Sequence, residues 1–223
     1  MQSDPRLFAT IYSTRALRRF KPDAIPEEVM FQLFDAAIRA PSGQNVQDWR
    51  FVVVTDSATK ARLQAWAEEG WARYQPDFAA DPSLMDALPR TRRLSLRSVE
   101  HLVHHLAATP AIVVVCGLAA RHSTPGGSTF PAVQNLLLAA SALGLGGSVF
   151  NLALRRPELH EMLSIPETNE IYCLLPIGYP TDRPGPVRRR PVKDVVFFEK
   201  FGERWEFAGQ QPDEGWQARW LSR

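Results

Sequence analysis

Cysteine is nearly absent from these 223 residues: there are two. Cys116 lies in "AIVVVCG" and Cys173 in "IYCLLPIG", so each reads as a reduced core thiol rather than part of a disulfide or a metal pair. Long apolar runs are missing too. No stretch approaches the roughly 20 residues of a membrane-spanning helix, and the opening "MQSDPRLFAT" lacks the basic start and apolar stretch of a signal peptide. These absences predict a cytoplasmic protein with no membrane partner. Nor is one sign of charge in large excess. The 26 Lys and Arg against 24 Asp and Glu leave a net charge of +2, and the arginines fall in three local groups rather than one stripe. A nucleic-acid partner is therefore not expected. There is no internal repeat and no low-complexity segment.

What is present is a core. Hydrophobic residues make up 45% of the chain, which at this length suits one large domain better than two. "IPEEVMFQLFDAAIRA" puts Val29, Met30, Leu33, Phe34, Ala37 and Ile38 on one helical face, with Pro26 suited to the first turn. That helix should stop near Ala40, because the residue before Pro41 is pushed out of the helical region. "RFVVVT" reads as a buried strand, "SATKARLQAWAEEGWARY" as a helix beginning near Ser57, and "QPDFAADPS" as a loop. Residues 83–107 read as helical, "PAIVVVC" as a second core strand, "FPAVQNLLLAASALG" as an apolar helix ending at Gly144, and "EIYCLLPIG" as a third strand. Strands separated by helices predict a layered α and β architecture. From Tyr179 onward the chain becomes "YPTDRPGPVRRRP", followed by a tail with Phe197, Phe198, Phe201, Trp205, Phe207, Trp216 and Trp220. So many aromatics do not suit a solvated tail; they call for a surface on this subunit or on a partner.

Several motifs are weaker than they look. Gly144, Gly146 and Gly147 follow a helix, whereas a dinucleotide-binding glycine loop follows a strand and opens a helix. They read as a helix C-cap and a close-packed turn. His101, His104 and His105 in "HLVHH" have helical spacing but no supporting carboxylate or cysteine, so a solvated or pocket-lining helix is the simpler reading than a metal site. Arg90, Arg92, Arg93 and Arg97 form an exposed basic face, with long-range steering of a phosphorylated cofactor as the alternative. Ser141 lacks a nucleophile-elbow context, so hydrolase chemistry has no support.

Five pieces in order carry the functional signal: "STRALRRF", the first core helix with "APSGQNVQDW" after it, the "NLLLAASALGLG" helix, "GYP", and "VRRRP". Together, over about residues 10–200, they resemble the FMN-binding nitroreductase family. The resemblance implies an α+β fold of three α-β-α layers, with a central mixed, mostly antiparallel sheet flanked by helices. Residues 1–223 would form a single domain, with 197–223 a C-terminal aromatic extension reaching the partner of a homodimer. It implies FMN as cofactor, NAD(P)H as co-substrate, and a small-molecule electron acceptor such as a nitroaromatic or quinone. Same-fold flavin-consuming or dehalogenating enzymes, and a noncatalytic FMN-holding protein, are the alternatives.

The resemblance also assigns residues. Arg15 and Arg189 are the phosphate candidates, and Arg18 falls near the N1 and O2 edge of the flavin. In the loop, Pro41, Ser42, Gly43 and Asn45 face the ribityl chain or phosphate; Ser128, Val149 and Asn151 lie beside the ring, with His101 or His104 as further ring neighbours. No catalytic side chain and no metal ligand is expected, because the flavin itself carries the hydride chemistry. Thr14 and Ala16 stand where the family often has an arginine and a serine, which shifts the phosphate site toward Arg189 and points to weaker FMN binding, and Asp48 stands next to the loop in place of the usual proline.

Overall fold

The computed structural model describes residues 5–118, 126–181, 187 and 189–206. The chain forms two compact units, Arg15–Arg183 and a second built from Met1–Thr14 with Pro184–Arg223. The larger unit holds a four-stranded sheet in the order β1, β2, β4, β3, where β1 is Trp49–Val54, β2 Ala111–Leu118, β3 Gly146–Gly147 and β4 Asn169–Gly178. Its ladders are all antiparallel.

Strand alternation sorts the core into two layers. Ile112, Val114 and Cys116 join Leu63, Trp66, Trp71, Leu102 and Val103 on one face, from helices α3 (Ser57–Tyr74) and α5 (Arg90–His105). Val113 and Val115 join Leu33, Ala37, Val133, Leu136 and Ala140 on the other, from α2 (Glu27–Ala37) and α6 (Thr129–Ala142). The result is an α+β fold of three layers, and β2 reads as an unbroken apolar run because both its faces are covered. Between Val115 and Cys116 the register against β4 shifts, so Tyr172 is the extra residue of a bulge. Cys116 and Cys173 consequently belong to opposite core layers, and both are free thiols.

The element ends have local causes. α3 begins at Ser57 as expected, and Asp56 caps it: its carboxylate accepts from the Thr59 amide at 2.7 Å. The helix expected to reach Ala40 ends at Ala37, because the chain tightens there: the Arg39 amide donates to Ala36 and the Ala40 amide to Ala37. Gly144, at φ +78°, closes α6. The Gly144 amide donates to the Ser141 carbonyl and the Leu145 amide to that of Ala140, the paired bonds of a Schellman motif. Gly146 and Gly147 are not a turn, as expected, but an edge strand paired with Gly178 and Ile177. The stretch expected as a loop at 75–83 contains a short helix, α4 (Pro76–Ala80), opened by its proline. The helical reading of 83–107 resolves into a 3₁₀ turn at Pro82–Ala87, α5, and another 3₁₀ turn at Leu106–Ala108. A further helix, α7 (Arg156–Met162), precedes β4.

In the smaller unit, α1 (Pro5–Ser13) is helical and Val192–Asp194 forms a 3₁₀ turn. Phe197 bridges Arg204 and its ring lies 4.5 Å from that of Phe201. Phe207, Trp216 and Trp220 lie outside the described residues.

Candidate functional site

Residues 17–21 run as an extra lane along the sheet edge. The Leu17 amide donates to the Gly147 carbonyl at 3.0 Å, the Lys21 amide to Tyr179 at 2.8 Å, and the Thr181 amide to Arg19 at 3.2 Å; Phe20 bridges Pro180. The glycine pair makes this approach possible, since a Cβ on Gly146 would sit 2.4 Å from Leu17 Cδ1. Arg18 is thereby held half-buried. Burial, and then the charge of Arg15, lower the pKa of its guanidinium, which nonetheless stays charged. Such a pair of cations favours an anion between them. Further along the same edge, Phe150 exchanges both backbone hydrogen bonds with Leu174 and is buried. Its neighbours Val149 and Asn151 are exposed.

A second group forms around the loop that follows α2. Gln44, Asn45 and Gln47 have φ of 52°, 57° and 52°, a left-handed run that side chains other than glycine rarely adopt. Closing bonds hold it: the Gln47 amide donates to Ser42 Oγ at 3.0 Å, and Gln47 Nε2 to Asn45 Oδ1 at 3.2 Å. The Gly43 amide donates to Ser128 Oγ at 3.2 Å, which brings the start of α6 to the loop. Pro41, Gly43 and Asn45 are exposed, and the space where a Gly43 side chain would stand is open. Asp48 ties the loop to β2, its carbonyl accepting from the Leu118 amide. Its carboxylate is buried, and Oδ1 has no partner among the described residues.

The remaining candidates separate. Arg189 is exposed and belongs to the smaller unit; Arg188 lies outside the described residues. Thr14 spends its hydroxyl on the Thr10 carbonyl at 2.6 Å, so it does not take over the role of an arginine. His104 faces Glu68. His101, by contrast, accepts from Arg19 Nη1 at 3.1 Å through Nδ1, and its ring stacks on that of His105 at 4.1 Å. Arg18, Arg19, Phe20, His101, His105 and Thr109 line a cleft of about 320 Å³. Sequence reasoning named His101 and His105 on a solvated or pocket-lining helix and Arg19 only within the arginine cluster, and it missed Thr109. The arginine cluster was the available signal for Arg19; nothing local marks a threonine that opens a strand.

Residues 11–179 match the nitroreductase family. The chain is 33% identical over 192 residues to an NADH dehydrogenase of Thermus thermophilus, covering 82% of this chain and 91% of that protein. It is 28% identical over 184 residues to an iodotyrosine deiodinase of Thermotoga neapolitana, covering 82% and 91%. A crystal structure of oxidized iodotyrosine deiodinase bound to FMN and 3-iodo-L-tyrosine shares the fold with a TM-score of 0.70 at 24% identity, over 87% of this chain and all of that one.

Proposed function

The chain belongs to the nitroreductase family, and on that footing we propose that it is an FMN-dependent oxidoreductase that uses NAD(P)H to reduce nitroaromatics, quinones or related electron-poor acceptors. One observation carries the reading. The 17–21 lane bearing Arg18 is tied to Gly147 and packs on Gly146, and the charge of Arg15 is felt at Arg18, so two cations lie close together at the edge of the sheet.

The residues fit FMN chemically. Arg15 offers a guanidinium fork for its phosphate, and Arg189 is the candidate from the smaller unit; each charge-assisted hydrogen bond contributes about 1.5–3 kcal/mol. Ser42 and Asn45 offer hydroxyl and amide groups to the ribityl chain or phosphate, and Gly43 leaves the room a side chain would fill. Ser128, Val149 and Asn151 border the ring, and Pro41 opens the loop on the ribityl side. Arg18 places a desolvated positive charge at the N1 and O2 edge, where preorganised charge is worth more than in water. Bound FMN supplies hydride acceptance and donation at N5, so the protein contributes binding, orientation and charge rather than an acid or base. A homodimer, with each FMN contacted by both subunits, agrees with the exposure of Phe198 and Phe201, the latter 93% exposed. No described helix is long and apolar enough to cross a membrane; the two buried free thiols support a cytoplasmic setting.

One open face serving both NAD(P)H and acceptor makes the kinetics ping-pong. Initial velocities against NAD(P)H at several fixed quinone concentrations should give parallel double-reciprocal lines; intersecting lines would reject the single-face scheme. The Thermotoga relative favours reductive dehalogenation as a second reading. Iodide release from 3-iodo-L-tyrosine with no quinone or nitroaromatic turnover would establish it instead.

A further inference from the structure

The loop that follows α2 is held from both ends in a conformation its residues rarely adopt. At its start the Gly43 amide donates to Ser128 Oγ at 3.2 Å, so the N-cap serine of α6 spends its hydroxyl on the loop and not on its own helix. At its end the bonds converge on Gln47. The Gln47 amide donates to Ser42 Oγ at 3.0 Å, and its Nε2 donates to Asn45 Oδ1 at 3.2 Å. Its carbonyl accepts from Arg50 Nη1 at 3.1 Å. The same nitrogen donates to the Trp49 carbonyl at 2.7 Å. Trp49 is buried, opens β1 and faces Gly117 of β2 in the ladder. Arg50 therefore ties a left-handed residue, at φ 52°, to the fixed frame of the sheet. Both backbone groups of Gln47 and its side-chain nitrogen are engaged. Strain of this kind persists only where the surroundings over-determine it, and it collects at ligand-binding segments. Gln44 and Asn45 share the left-handed form, and none of the three is the glycine that would adopt it freely.

We propose that Arg50 is a positioning residue of the flavin site: by holding the Gln47 carbonyl it keeps the 42–45 loop in the shape that receives FMN, without touching FMN itself. This rests on the reading of Ser42, Gly43 and Asn45 as flavin-binding groups. The bonds that shape the loop come from its own side chains, from Ser128 and from Arg50, so the shape is set before a ligand arrives. Apparent affinity scales with the fraction of molecules in which the binding shape is already formed. Freeing the Gln47 carbonyl lowers that fraction, and losing a hydrogen bond from a charged donor shifts an equilibrium by about tenfold or more. The hydride chemistry belongs to the flavin, and Arg50 adds nothing to it.

The test is the dissociation constant of FMN, read from the flavin fluorescence that appears as the holoprotein is diluted, for wild type, Arg50→Ala, Gln47→Pro and the double variant. Arg50→Ala should hold FMN about tenfold more weakly, and saturating FMN should restore the wild-type kcat. Gln47→Pro imposes a φ of about −65° where the loop has 52°, and should lose at least as much affinity. Adding Arg50→Ala to Gln47→Pro should then change nothing further, because the clamp has nothing left to hold. A further tenfold loss in the double variant makes Arg50 a direct flavin ligand and overturns the proposal. Wild-type affinity in Arg50→Ala overturns it too, as does a kcat that saturating FMN fails to restore. Hydrogen exchange at the Gln47 amide reads the loop without flavin. It should speed up at least about tenfold in Arg50→Ala, and unchanged protection there overturns the clamp. A wild type that neither carries nor takes up FMN, with faster exchange in Arg50→Ala, sinks the oxidoreductase reading and leaves the clamp standing. A yellow wild type whose Arg50→Ala variant keeps both its FMN and its protected amide does the reverse.

Discussion

Burial decides what the two thiols do. Cys173 has no exposed surface, and loss of hydration pushes its thiol from the ordinary 9.0 up to about 12; burial also raises Cys116, with Arg50 pulling the other way. A group whose folded pKa is raised gives stability that is complete below its unfolded pKa and is lost as pH climbs to the folded one. The melting temperature should therefore fall between about pH 9 and pH 12, and Cys173→Ala should flatten that fall. Scanning calorimetry across this range checks it; parallel curves for the two proteins would remove Cys173 as the cause. Charge at Arg18 is a second residue-scale matter. Arg18→Ala should slow reduction of bound flavin roughly hundredfold, in the range seen for removal of a preorganised donor, while FMN affinity drops much less. Stopped-flow reduction beside an FMN titration separates the two, and equal losses would assign Arg18 to binding alone. At this scale the sequence disclosed residue types but not backbone strain. Asn45 tolerates a left-handed conformation, yet nothing marks Gln44 or Gln47 for it; the bonds that close the loop impose it. Nor does the sequence show that Asp48 is buried, because its neighbours are polar on one side only.

Among the elements, two glycines mark where packing tolerates nothing larger. A Cβ on Gly70, in α3, would stand 2.0 Å from the Leu152 carbonyl oxygen, so the backbone itself must move. Gly70→Ala should cost about 1–3 kcal/mol, the usual penalty of overpacking, read as a lower melting temperature. Gly146→Ala meets mainly the Leu17 side chain, and should push the arginine lane outward. The expected signature is a protein that stays folded but purifies with less FMN; full flavin content would show that the lane can shift without consequence. The long amphipathic helices were legible because their period repeats over ten or more residues, and β2 and β4 because their apolar runs are unbroken. Elements that depend on partners were not. Gly146 and Gly147 become a strand only by pairing with Gly178 and Ile177, and α4 and α7 are too short for a clear period. The 17–21 lane, which positions Arg18, likewise exists through bonds to residues more than a hundred positions away.

For the whole molecule, the question is what covers the aromatic tail and whether a cofactor joins the separate groups of site residues. Phe198 and Phe201 are exposed, as a segment reaching a second subunit requires. Deleting residues 200–223 should weaken or abolish the dimer in sedimentation, and an unaltered dimer would place the tail on its own subunit. The order of the five motifs made the family legible from sequence. Their spatial grouping was not, because the arginine lane and the 41–47 loop are each organised by contacts distant in sequence. Whether the protein is a flavin-dependent oxidoreductase is read from the visible absorbance spectrum of the purified protein, recorded without oxygen before and after adding NADH or NADPH. The protein should be yellow, with a flavin band that bleaches with a nicotinamide and returns when a quinone is added. A protein that neither contains nor takes up FMN, or a flavin band that both nicotinamides leave unchanged, would contradict that reading.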